Sequence, residues 1–462
     1  MKIFDLNKKL KIHFIGIGGI SMSAIALILL KNEFTITGSD VSESDNVKAL
    51  REKGIKVFIG HKRENIAKDL DMVVYSKAIH DDNEEIIAAK EFGIKLVSRS
   101  SILGEIMANY NRRICVAGTH GKTTTTSIIS KVMLDKGFEP TINVGGIVDE
   151  IGGNYYIGGE DLFIAEACEY TNSFLDFCPS VAVVTNIEED HLDFFKDLDD
   201  IRKSFKKFIE LLPEGGLLVI NNRIENIEEL VKDAKISVVT YGSSDSANYY
   251  FDNVSYDEKH YQSFDVYHDK KFVGRMRQRL IGKHNALNFL AGLAVLMDFG
   301  ISFEDIKKSL EDFKGARRRL EVKKVVNGVT YIDDYAHHPT EIEASLKALK
   351  EIKYKNLYLI FQPHTFTRTK ALFDDFVRVL GSTSIVILAK IYPAREKDLG
   401  IVSSRDISEK IKSDKNNKNN LCEYFETFEE ISEYVSKNAT SGDIVVTMGA
   451  GDVYRIIDLI RE

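Results

Sequence analysis

A glycine-rich loop that contains one lysine constrains the fold of this chain more than any other feature. Residues 117–126 read AGTHGKTTTT; an apolar run before them predicts a strand, and a helical pattern follows. Backbone N–H groups at such glycines and at a helix N-terminus can bind a phosphate. Lys122 would reach the outer phosphates of a nucleotide, and Thr123 would ligate a magnesium ion. Only two residues separate Gly118 from Gly121, so this is a compressed variant of the phosphate-binding loop.

The composition is that of a globular protein with roughly two to four domains. The chain has 462 residues and a net charge of -8, which offers no attraction to nucleic acid. No apolar run is long enough to cross a bilayer, and the first residues lack the apolar core of a signal peptide. The four cysteines are scattered without metal or disulfide spacing. We therefore predict a cytoplasmic protein that binds neither nucleic acid nor a membrane.

Strand and helix patterns alternate along the chain, which predicts parallel sheets covered by helices. Three glycine turns, each between a strand and a helix, mark the starts or ends of separate domains. We expect domains at residues 1–108, 109–313 and 314–462. Residues 236–280 differ, because polar and apolar positions alternate there and tyrosines are frequent, and we predict an antiparallel patch.

A second glycine loop opens the first domain. Gly16, Gly18 and Gly19 follow a predicted strand, and Asp40 ends the next strand, as in a dinucleotide-binding fingerprint. Ser21 stands where that fingerprint has its third glycine. The safer prediction is a diphosphate on the helix N-terminus with a nucleoside nearby. A nicotinamide cofactor is the alternative.

Acidic residues and a histidine follow two strands of the central domain. Glu166 and Glu169 come just after one strand, and His191 lies in an acidic loop after another. Active sites of open parallel sheets lie at the carboxyl ends of the strands, so these side chains should converge near Lys122. Carboxylates suit magnesium, which prefers oxygen ligands. For His191 taken alone, a solvated acidic loop is the alternative.

The third domain carries histidines and arginines after its strands. The run DDYAHHPTE at residues 333–341 follows a strand, and Pro339 suits the first turn of a helix. His338 is as consistent with an N-cap role as with a functional one. An arginine of the segment 362–369 could bind a small carboxylate through two parallel hydrogen bonds, or form a salt bridge within its loop.

Taken together, these segments resemble the Mur ligase family, and they follow the family's order along the chain. The matching segments are residues 16–20, 118–124, 166–170, 185–187, 190–191, 284–288, 318–319, 333–341, 362–364 and 449–452. The resemblance implies an α/β fold of three domains with mostly parallel sheets. A Rossmann-like domain would bind a UDP-substrate, a central P-loop-type domain would bind ATP, and a Rossmann-like C-terminal domain would bind an amino acid.

The resemblance also implies roles for single residues. The implied catalytic residues are Lys122, Glu166 and His191, and the implied magnesium ligands are Thr123, Glu166 and His191, with His191 serving a second ion. The implied ATP-binding residues are Gly118, Thr119, His120, Gly121, Lys122, Thr123, Thr124, Asn285, Arg319 and Asp334. The implied contacts of the UDP-substrate are Gly16, Gly18, Gly19, Ile20 and Asp40. The implied contacts of the amino acid are His337, His364 and Arg368.

Two positions depart from the pattern of some relatives. Cys168 stands where some relatives have Asp, so it is given no role. Thr365 stands where some have a basic residue, so Arg368 would hold the carboxylate of the amino acid with less help.

The activity that the resemblance implies is ATP-dependent ligation through an acyl phosphate, with ATP and Mg²⁺ as cofactors. The implied substrates are UDP-N-acetylmuramate and L-alanine. A ligase that adds a preformed muropeptide to the same UDP-sugar is the main alternative. A nicotinamide-dependent oxidoreductase and a non-catalytic nucleotide-binding module are further alternatives, and the oligomeric state is left open.

Overall fold

The computed structural model describes residues 8–76, 79–191, 194–258, 260–394, 396–414 and 421–461. Three sheets, of five, ten and six strands, organise these residues. The prediction of a three-domain α/β fold with mostly parallel sheets is therefore confirmed. Among the described residues, no helix is both long enough and apolar enough to cross a membrane.

The first sheet has five strands, and every neighbouring pair is parallel. The strands are β1 (Lys11–Ile15), β2 (Thr35–Asp40), β3 (Lys56–Ile59), β4 (Met72–Tyr75) and β5 (Lys95–Ser98). The helices are α1 (Ile20–Lys31), α2 (Asp45–Glu52), α3 (Glu84–Glu91) and α4 (Arg99–Met107), with a 3-10 turn at Arg63–Asn65. The strand order is β3-β2-β1-β4-β5. Because β1 lies at the centre, the glycine loop that follows it emerges at the middle of the sheet's carboxyl edge.

The second sheet has ten strands. They are β6 (Arg112–Ala117), β7 (Thr141–Val148), β8 (Gly153–Tyr156), β9 (Leu162–Glu166), β10 (Val181–Val184), β11 (Leu217–Asn221), β12 (Ser237–Gly242), β13 (Tyr249–Tyr256), β14 (Gln262–His268) and β15 (Lys271–Gln278). The helices are α5 (Lys122–Asp135), α6 (Leu198–Ile209), α7 (Ile227–Val231), α8 (Lys283–Asp298) and α9 (Phe303–Leu310), with 3-10 turns at Asp149–Ile151 and Tyr170–Asp176. The order is β15-β14-β13-β12-β11-β10-β6-β9-β7-β8, so β9 and β10 flank the strand that leads to the lysine loop.

The third sheet has six strands. They are β16 (Glu321–Val326), β17 (Val329–Asp334), β18 (Leu357–Phe361), β19 (Ile385–Leu388), β20 (Leu421–Tyr424) and β21 (Ile444–Met448). The helices are α10 (Pro339–Leu349), α11 (Phe366–Ala371), α12 (Phe373–Leu380), α13 (Ser404–Ser413), α14 (Phe428–Asn438) and α15 (Arg455–Leu459). The order is β16-β17-β21-β18-β19-β20; only the edge strand β16 runs antiparallel to its neighbour.

The antiparallel patch predicted for residues 236–280 is wrong at its first strand. β12 runs parallel to both β11 and β13. The chain passes from β11 to β12 through helix α7, and such a crossover connection joins parallel strands. By contrast, β14 and β15 are joined by Asp269 and Lys270 alone, both with positive φ, as in a tight hairpin.

The described chain divides into two compact units. The first contains residues 1–254, 264–276 and 285–313, and the second contains residues 255–263, 277–284 and 314–462. The first sheet and most of the second lie in the first unit, whereas the ends of β13, β14 and β15 are assigned to the second. Residues of both sheets contribute to one continuous hydrophobic core. The domain limits at residues 108 and 313 stay a prediction.

Within the first unit, the first and second sheets contact each other closely. A Cβ at Gly104 of α4 would collide with the carbonyl oxygen of Asp176, the last residue of the 3-10 turn Tyr170–Asp176 of the central domain. Lys31 Nζ donates hydrogen bonds to the carbonyls of Ile157 and Gly158 at 2.9 and 3.1 Å. The two sheets are therefore joined by main-chain packing as well as by apolar side chains.

Candidate active site

The lysine loop joins the end of β6 to the start of α5. Gly118 and Gly121 have φ angles of +133° and +83°, in the region that favours glycine. A Cβ at Gly118 would collide with Thr185, and one at Gly121 would collide with the side chain of Asn288. No side chain caps the N-terminus of the 14-residue helix α5. The loop thus combines backbone N–H groups and an uncapped helix N-terminus with closely packed neighbouring residues. This combination suits the binding of a phosphate.

Two side chains at the end of β10 hold the loop in this shape. The Asn186 side chain accepts a hydrogen bond from the N–H of His120 at 2.8 Å and donates one to its carbonyl at 3.0 Å. Thr185 Oγ1 donates to the same carbonyl at 2.6 Å and lies 3.2 Å from the carbonyl of Ala117. Sequence reasoning assigned neither residue a role. Both could have been recognised, because they directly follow a predicted strand of the central domain, and that strand pairs with β6.

Lys122 lies against its own loop and a buried carboxylate. Its Nζ donates to the carbonyls of Gly118 and Thr119, and it lies 3.1 and 3.2 Å from the two carboxylate oxygens of Glu169. Glu169 is 2% exposed. Burial is the largest effect and acts to lower the pKa of Lys122, but the charge and hydrogen bond of Glu169 and the charges of Cys168 and Glu166 together outweigh it, so the pKa is raised and the lysine stays cationic. Sequence reasoning noted Glu169 but did not include it among the site residues.

Glu166 ends strand β9 and faces the glycine pair of β7. Its Oε1 accepts the N–H of Gly145 at 2.6 Å, and a Cβ at Gly145 would lie 2.8 Å from Oε2. The glycine is thus needed for the carboxylate to approach the backbone.

Thr123, on the first turn of α5, is buried, and its carbonyl accepts a hydrogen bond from Ser127 at 2.6 Å.

Three potential metal ligands cluster beside Lys122. One ligand atom from each of Glu169, Asp190 and His191 lies within 4.8 Å of the other two. His191 Nε2 is 4.0 Å from Glu169 Oε1 and 3.8 Å from Asp190 Oδ2, and its ring lies 4.4 Å from the ring of Tyr170. Two carboxylates with one imidazole fit a divalent cation that accepts oxygen ligands. Asp190 was not among the predicted ligands.

Asn285 on α8 lies near the lysine loop through its neighbour Asn288. Asn288 Nδ2 donates to Asn285 Oδ1 at 3.0 Å, and Asn288 Oδ1 lies 3.4 Å from Thr125 Oγ1. Asn285, Asn288 and Thr124 are all buried. The structure therefore brings together the residues of the first unit that were predicted to bind ATP.

The glycine loop after β1 is fixed by residues at the end of β2. The N–H of Gly18 donates to Asp40 Oδ2 at 2.9 Å, and its carbonyl accepts from Asn46 Nδ2 at 2.9 Å. A Cβ at Gly18 would lie 2.8 Å from Val47. Gly19 precedes α1, which no side chain caps. Gly16, with φ +77°, lies in the same loop, and the exposed Ile20 is the first residue of α1.

Asp334 and Arg319 lie in the second unit. The carboxylate of Asp334 accepts hydrogen bonds from the N–H of Ala336 at 2.7 Å and from the N–H of Leu320 at 3.0 Å. Burial raises the pKa of Asp334 to about 6, although the charge of Arg319 and these hydrogen bonds act to lower it. Arg319 also lies over the ring of Tyr335, 5.7 Å from its centroid.

The arginine beside Arg319 has a different environment. Arg318 Nε donates to Asp333 Oδ2 at 2.9 Å, and its other nitrogens donate to the carbonyls of Gly451 and Gly449. Arg318 also has a positive φ of +62°, and its guanidinium lies over the ring of Tyr454. It therefore joins the start of the third sheet to the turn after β21.

The three residues predicted to bind an amino acid lie together in the second unit. The rings of His337 and His364 are 6.0 Å apart, and Arg368 Nη1 is 3.4 Å from His364 Nδ1. Burial, together with the charges of Arg368 and His337, lowers the pKa of His364 to about 4. Arg368 is therefore the cation of this pair at neutral pH, beside a neutral imidazole. Glu341, which accepts the N–H groups of both His337 and His338, was not predicted.

The predicted ATP-binding residues are thus divided between the two units. The lysine loop and Asn285 lie in the first, and Arg319 and Asp334 lie in the second. Their joint action on one nucleotide stays a prediction.

Three family models match the chain in succession. Residues 11–111 match the model described as "Mur ligase family, catalytic domain", residues 116–296 match "Mur ligase middle domain", and residues 318–451 match "Mur ligase, glutamate ligase domain". The matched order agrees with the order of the three sheets.

Curated relatives match over nearly the full length. The chain is 48% identical over 453 residues to a UDP-N-acetylmuramate–L-alanine ligase of Clostridium botulinum, covering 98% of each chain. It is 47% identical over 463 residues to the ligase of the same name from Acetivibrio thermocellus, covering 100% of this chain and 98% of the other.

Solved structures show the same likeness. A UDP-N-acetylmuramate-alanine ligase from Thermotoga maritima superposes with a TM-score of 0.81 at 28% identity, covering 98% of each chain. A murein peptide ligase from Psychrobacter arcticus superposes with a TM-score of 0.70 at 23% identity and 98% coverage of each chain, which shows a shared fold.

Proposed function

The chain belongs to the Mur ligase family, and from this premise we propose that it is the ATP-dependent ligase that joins L-alanine to the lactyl carboxylate of UDP-N-acetylmuramate. This reaction is an early step of peptidoglycan synthesis. One observation carries the proposal: relatives named for this activity share 47% to 48% of residues with the chain over at least 98% of its length.

The proposed reaction has two steps. The carboxylate oxygen first takes the γ-phosphoryl group of ATP, and ADP leaves. The amine of L-alanine then attacks the acyl carbon, the bond to the phosphate oxygen breaks, and the amine loses a proton as the amide forms. Phosphorylation is required because an unactivated carboxylate has no leaving group that an amine can displace.

The lysine loop supports the first step. Its N–H groups would bind the ATP phosphates, and cationic Lys122 would stabilise the charge that develops on the transferred group. In the present arrangement the Lys122 ammonium is paired with Glu169, so phosphate oxygens would take over from that carboxylate. Asn186 and Thr185 hold the loop in advance, which lowers the reorganisation needed when the nucleotide binds.

The carboxylates around Lys122 fit a divalent cation, because one ligand atom from each of Glu169, Asp190 and His191 lies within 4.8 Å of the other two. We propose that Thr123 and Glu166 hold one Mg²⁺ and that His191 serves a second, with Glu169 and Asp190 beside it. Bound Mg²⁺ would neutralise the negative charge of the phosphates.

The His337–His364–Arg368 group supports recognition of L-alanine. Arg368 would hold the carboxylate of the amino acid through two parallel hydrogen bonds. Because the pKa of His364 is about 4, this imidazole would add no positive charge next to the reacting amine.

The direct test is to measure phosphate release with ATP, Mg²⁺ and UDP-N-acetylmuramate against a panel of amines. We expect release with L-alanine and little with the tripeptide that begins with L-alanine. Equal or greater release with the tripeptide would instead support the muropeptide ligase. No phosphate release with any amine would overturn the proposal.

Replacing Glu166 with glutamine should raise the Mg²⁺ concentration that gives half-maximal activity. Glutamine keeps an oxygen for the N–H of Gly145 but loses the charge that a hard cation prefers. We expect a shift of about tenfold or more, from the loss of one charged ligand. Activity measured against Mg²⁺ concentration tests this, with Glu160→Gln, an exposed residue just before the same strand, as the control. Identical Mg²⁺ curves for the two variants would remove Glu166 from the cation site.

A further inference from the structure

A buried charged cluster lies in the first sheet, and the proposed chemistry does not use it. We call it the Glu85 cluster; its members are His13, Ser39, His61, Asn65 and Glu85. His13, Ser39 and Glu85 are each 0% exposed. An ionised carboxylate in such a place is costly unless several partners compensate it, so the arrangement needs a physical reason.

Glu85 has partners on both carboxylate oxygens. Oε2 accepts a hydrogen bond from Ser39 Oγ at 2.6 Å and lies 3.0 Å from His61 Nδ1. Oε1 accepts from Asn65 Nδ2 at 2.6 Å and lies 3.6 Å from His13 Nε2. Burial acts to raise the pKa of Glu85, but these four partners lower it to about 2, so the group is a carboxylate at neutral pH.

The partners of Glu85 come from the strands and loops that carry the first glycine loop. His13 is in β1, which leads into that loop, and Ser39 is the residue before the end of β2. His61 and Asn65 follow β3. Glu85 itself is in the first turn of α3, so one side chain ties together four segments of the sheet's carboxyl edge.

Ser39 connects the cluster directly to the glycine loop. Its carbonyl accepts the N–H of Gly16 at 2.8 Å and the N–H of Ile17 at 2.9 Å. The next residue, Asp40, accepts the N–H of Gly18 at 2.9 Å. Three successive N–H groups of the loop are therefore held by Ser39 and Asp40, and Glu85 fixes the side chain of Ser39.

The loop after β3 is tied to the same point. The N–H of Gly60 donates to the carbonyl of Asp40 at 2.8 Å, and the carbonyl of Gly60 accepts from Asn65 Nδ2 at 3.0 Å. Asn65 Nδ2 also donates to Glu85. A change at Glu85 would thus reach Asp40 from two sides, through Ser39 and through Asn65.

We propose that Glu85 is a positioning residue for the UDP-sugar: through Ser39 and Asn65 it holds the end of β2 and the glycine loop in the shape that receives the diphosphate. This inference rests on the proposed function, because it takes the glycine loop as the binding site of the sugar nucleotide. Glu85 acts without touching the ligand.

The test uses the full-length chain with Glu85→Gln. Glutamine has nearly the same shape, but its NH₂ group meets donors where a carboxylate oxygen accepted hydrogen bonds. Titration calorimetry with UDP-N-acetylmuramate alone gives the dissociation constant, and steady-state kinetics give the KM values for all three substrates. We expect the dissociation constant for the UDP-sugar to rise about tenfold or more, and the KM for ATP and L-alanine to stay within about twofold.

Glu105→Gln is the matched control, since Glu105 is a partly buried carboxylate of the same domain whose nearest cation is Lys95 at 3.9 Å. It should leave the affinity for the UDP-sugar unchanged. If Glu85→Gln does not fold, Ser39→Ala removes only the contact to β2 and should give a smaller change in the same direction. The inference would be overturned if a folded Glu85 or Ser39 variant bound the UDP-sugar with unchanged affinity. It would also be overturned if the KM values for all three substrates rose equally. Absence of UDP-sugar binding by the unmodified chain would instead overturn the proposed function.

Discussion

Replacing Lys122 with alanine is expected to lower the turnover number by about a thousandfold or more, because one charged donor aimed at a transferring phosphoryl group is worth several kcal/mol of transition-state stabilisation. Affinity for UDP-N-acetylmuramate should stay near that of the unmodified chain, since the sugar nucleotide is proposed to bind the loop that contains Gly18. Phosphate release and calorimetry with the UDP-sugar measure the two effects separately.

Lys131→Ala is the appropriate control for this variant. Lys131 is on the same helix, α5, and pairs with Asp135 one turn further along at 2.5 Å. Its loss should leave turnover within about twofold, because a surface ion pair contributes little. Thermal unfolding must be compared as well, since Lys122→Ala leaves the buried carboxylate of Glu169 without its cation. A folded Lys122 variant with near-normal turnover would show that the lysine loop does not serve ATP.

Replacing Arg368 with lysine is expected to raise the KM for L-alanine by about tenfold to a hundredfold. L-Alanine offers only a methyl group for apolar recognition, and a pocket discriminates weakly by so small a group. Most of the binding free energy must then come from the carboxylate, and lysine keeps the charge but cannot make two parallel hydrogen bonds. His364 lies 3.4 Å from Arg368, but its imidazole is neutral, so it cannot compensate for the lost pair of hydrogen bonds with a positive charge.

The comparison variant is Arg378→Lys, on the neighbouring helix α12. Arg378 is exposed and pairs with Asp375 and Glu343, so its replacement should change no kinetic constant. The KM values for ATP and UDP-N-acetylmuramate should stay constant in both variants. Equal increases for all three substrates in Arg368→Lys would point to a general loss of structure, and an unchanged alanine KM would direct attention to His337 or His364.

Local patterns were sufficient to predict most strands and helices near the sites. Strands β1 and β6 end just before the two glycine loops, and helices α1 and α5 begin just after them, as the sequence predicts. Glycine loops between a strand and a helix carry their conformation in the sequence, because positive φ and the lack of a Cβ are properties of single residues. Pairing direction is not local, and this explains the error at β12, whose alternating residues are compatible with either direction.

Contacts between distant segments could not be predicted from spacing. In the arginine run 317–319, nothing in the sequence distinguishes Arg318, which binds Asp333 and two glycine carbonyls, from Arg319 beside it. The same holds for Glu169: its pairing with Lys122 depends on the 3-10 turn that follows β9, whose conformation is set by tertiary packing.

The close approach of Gly104 to the main chain at Asp176 limits how this protein can exchange parts with its relatives by recombination. A crossover near residue 108 would combine one parent's α4 with the other parent's 3-10 turn. Any side chain at position 104 would then collide with the carbonyl oxygen of Asp176, the last residue of the turn that follows Glu169. Functional recombinants should therefore take the first and second sheets from the same parent, although the sequence predicts that the two sheets belong to separate domains.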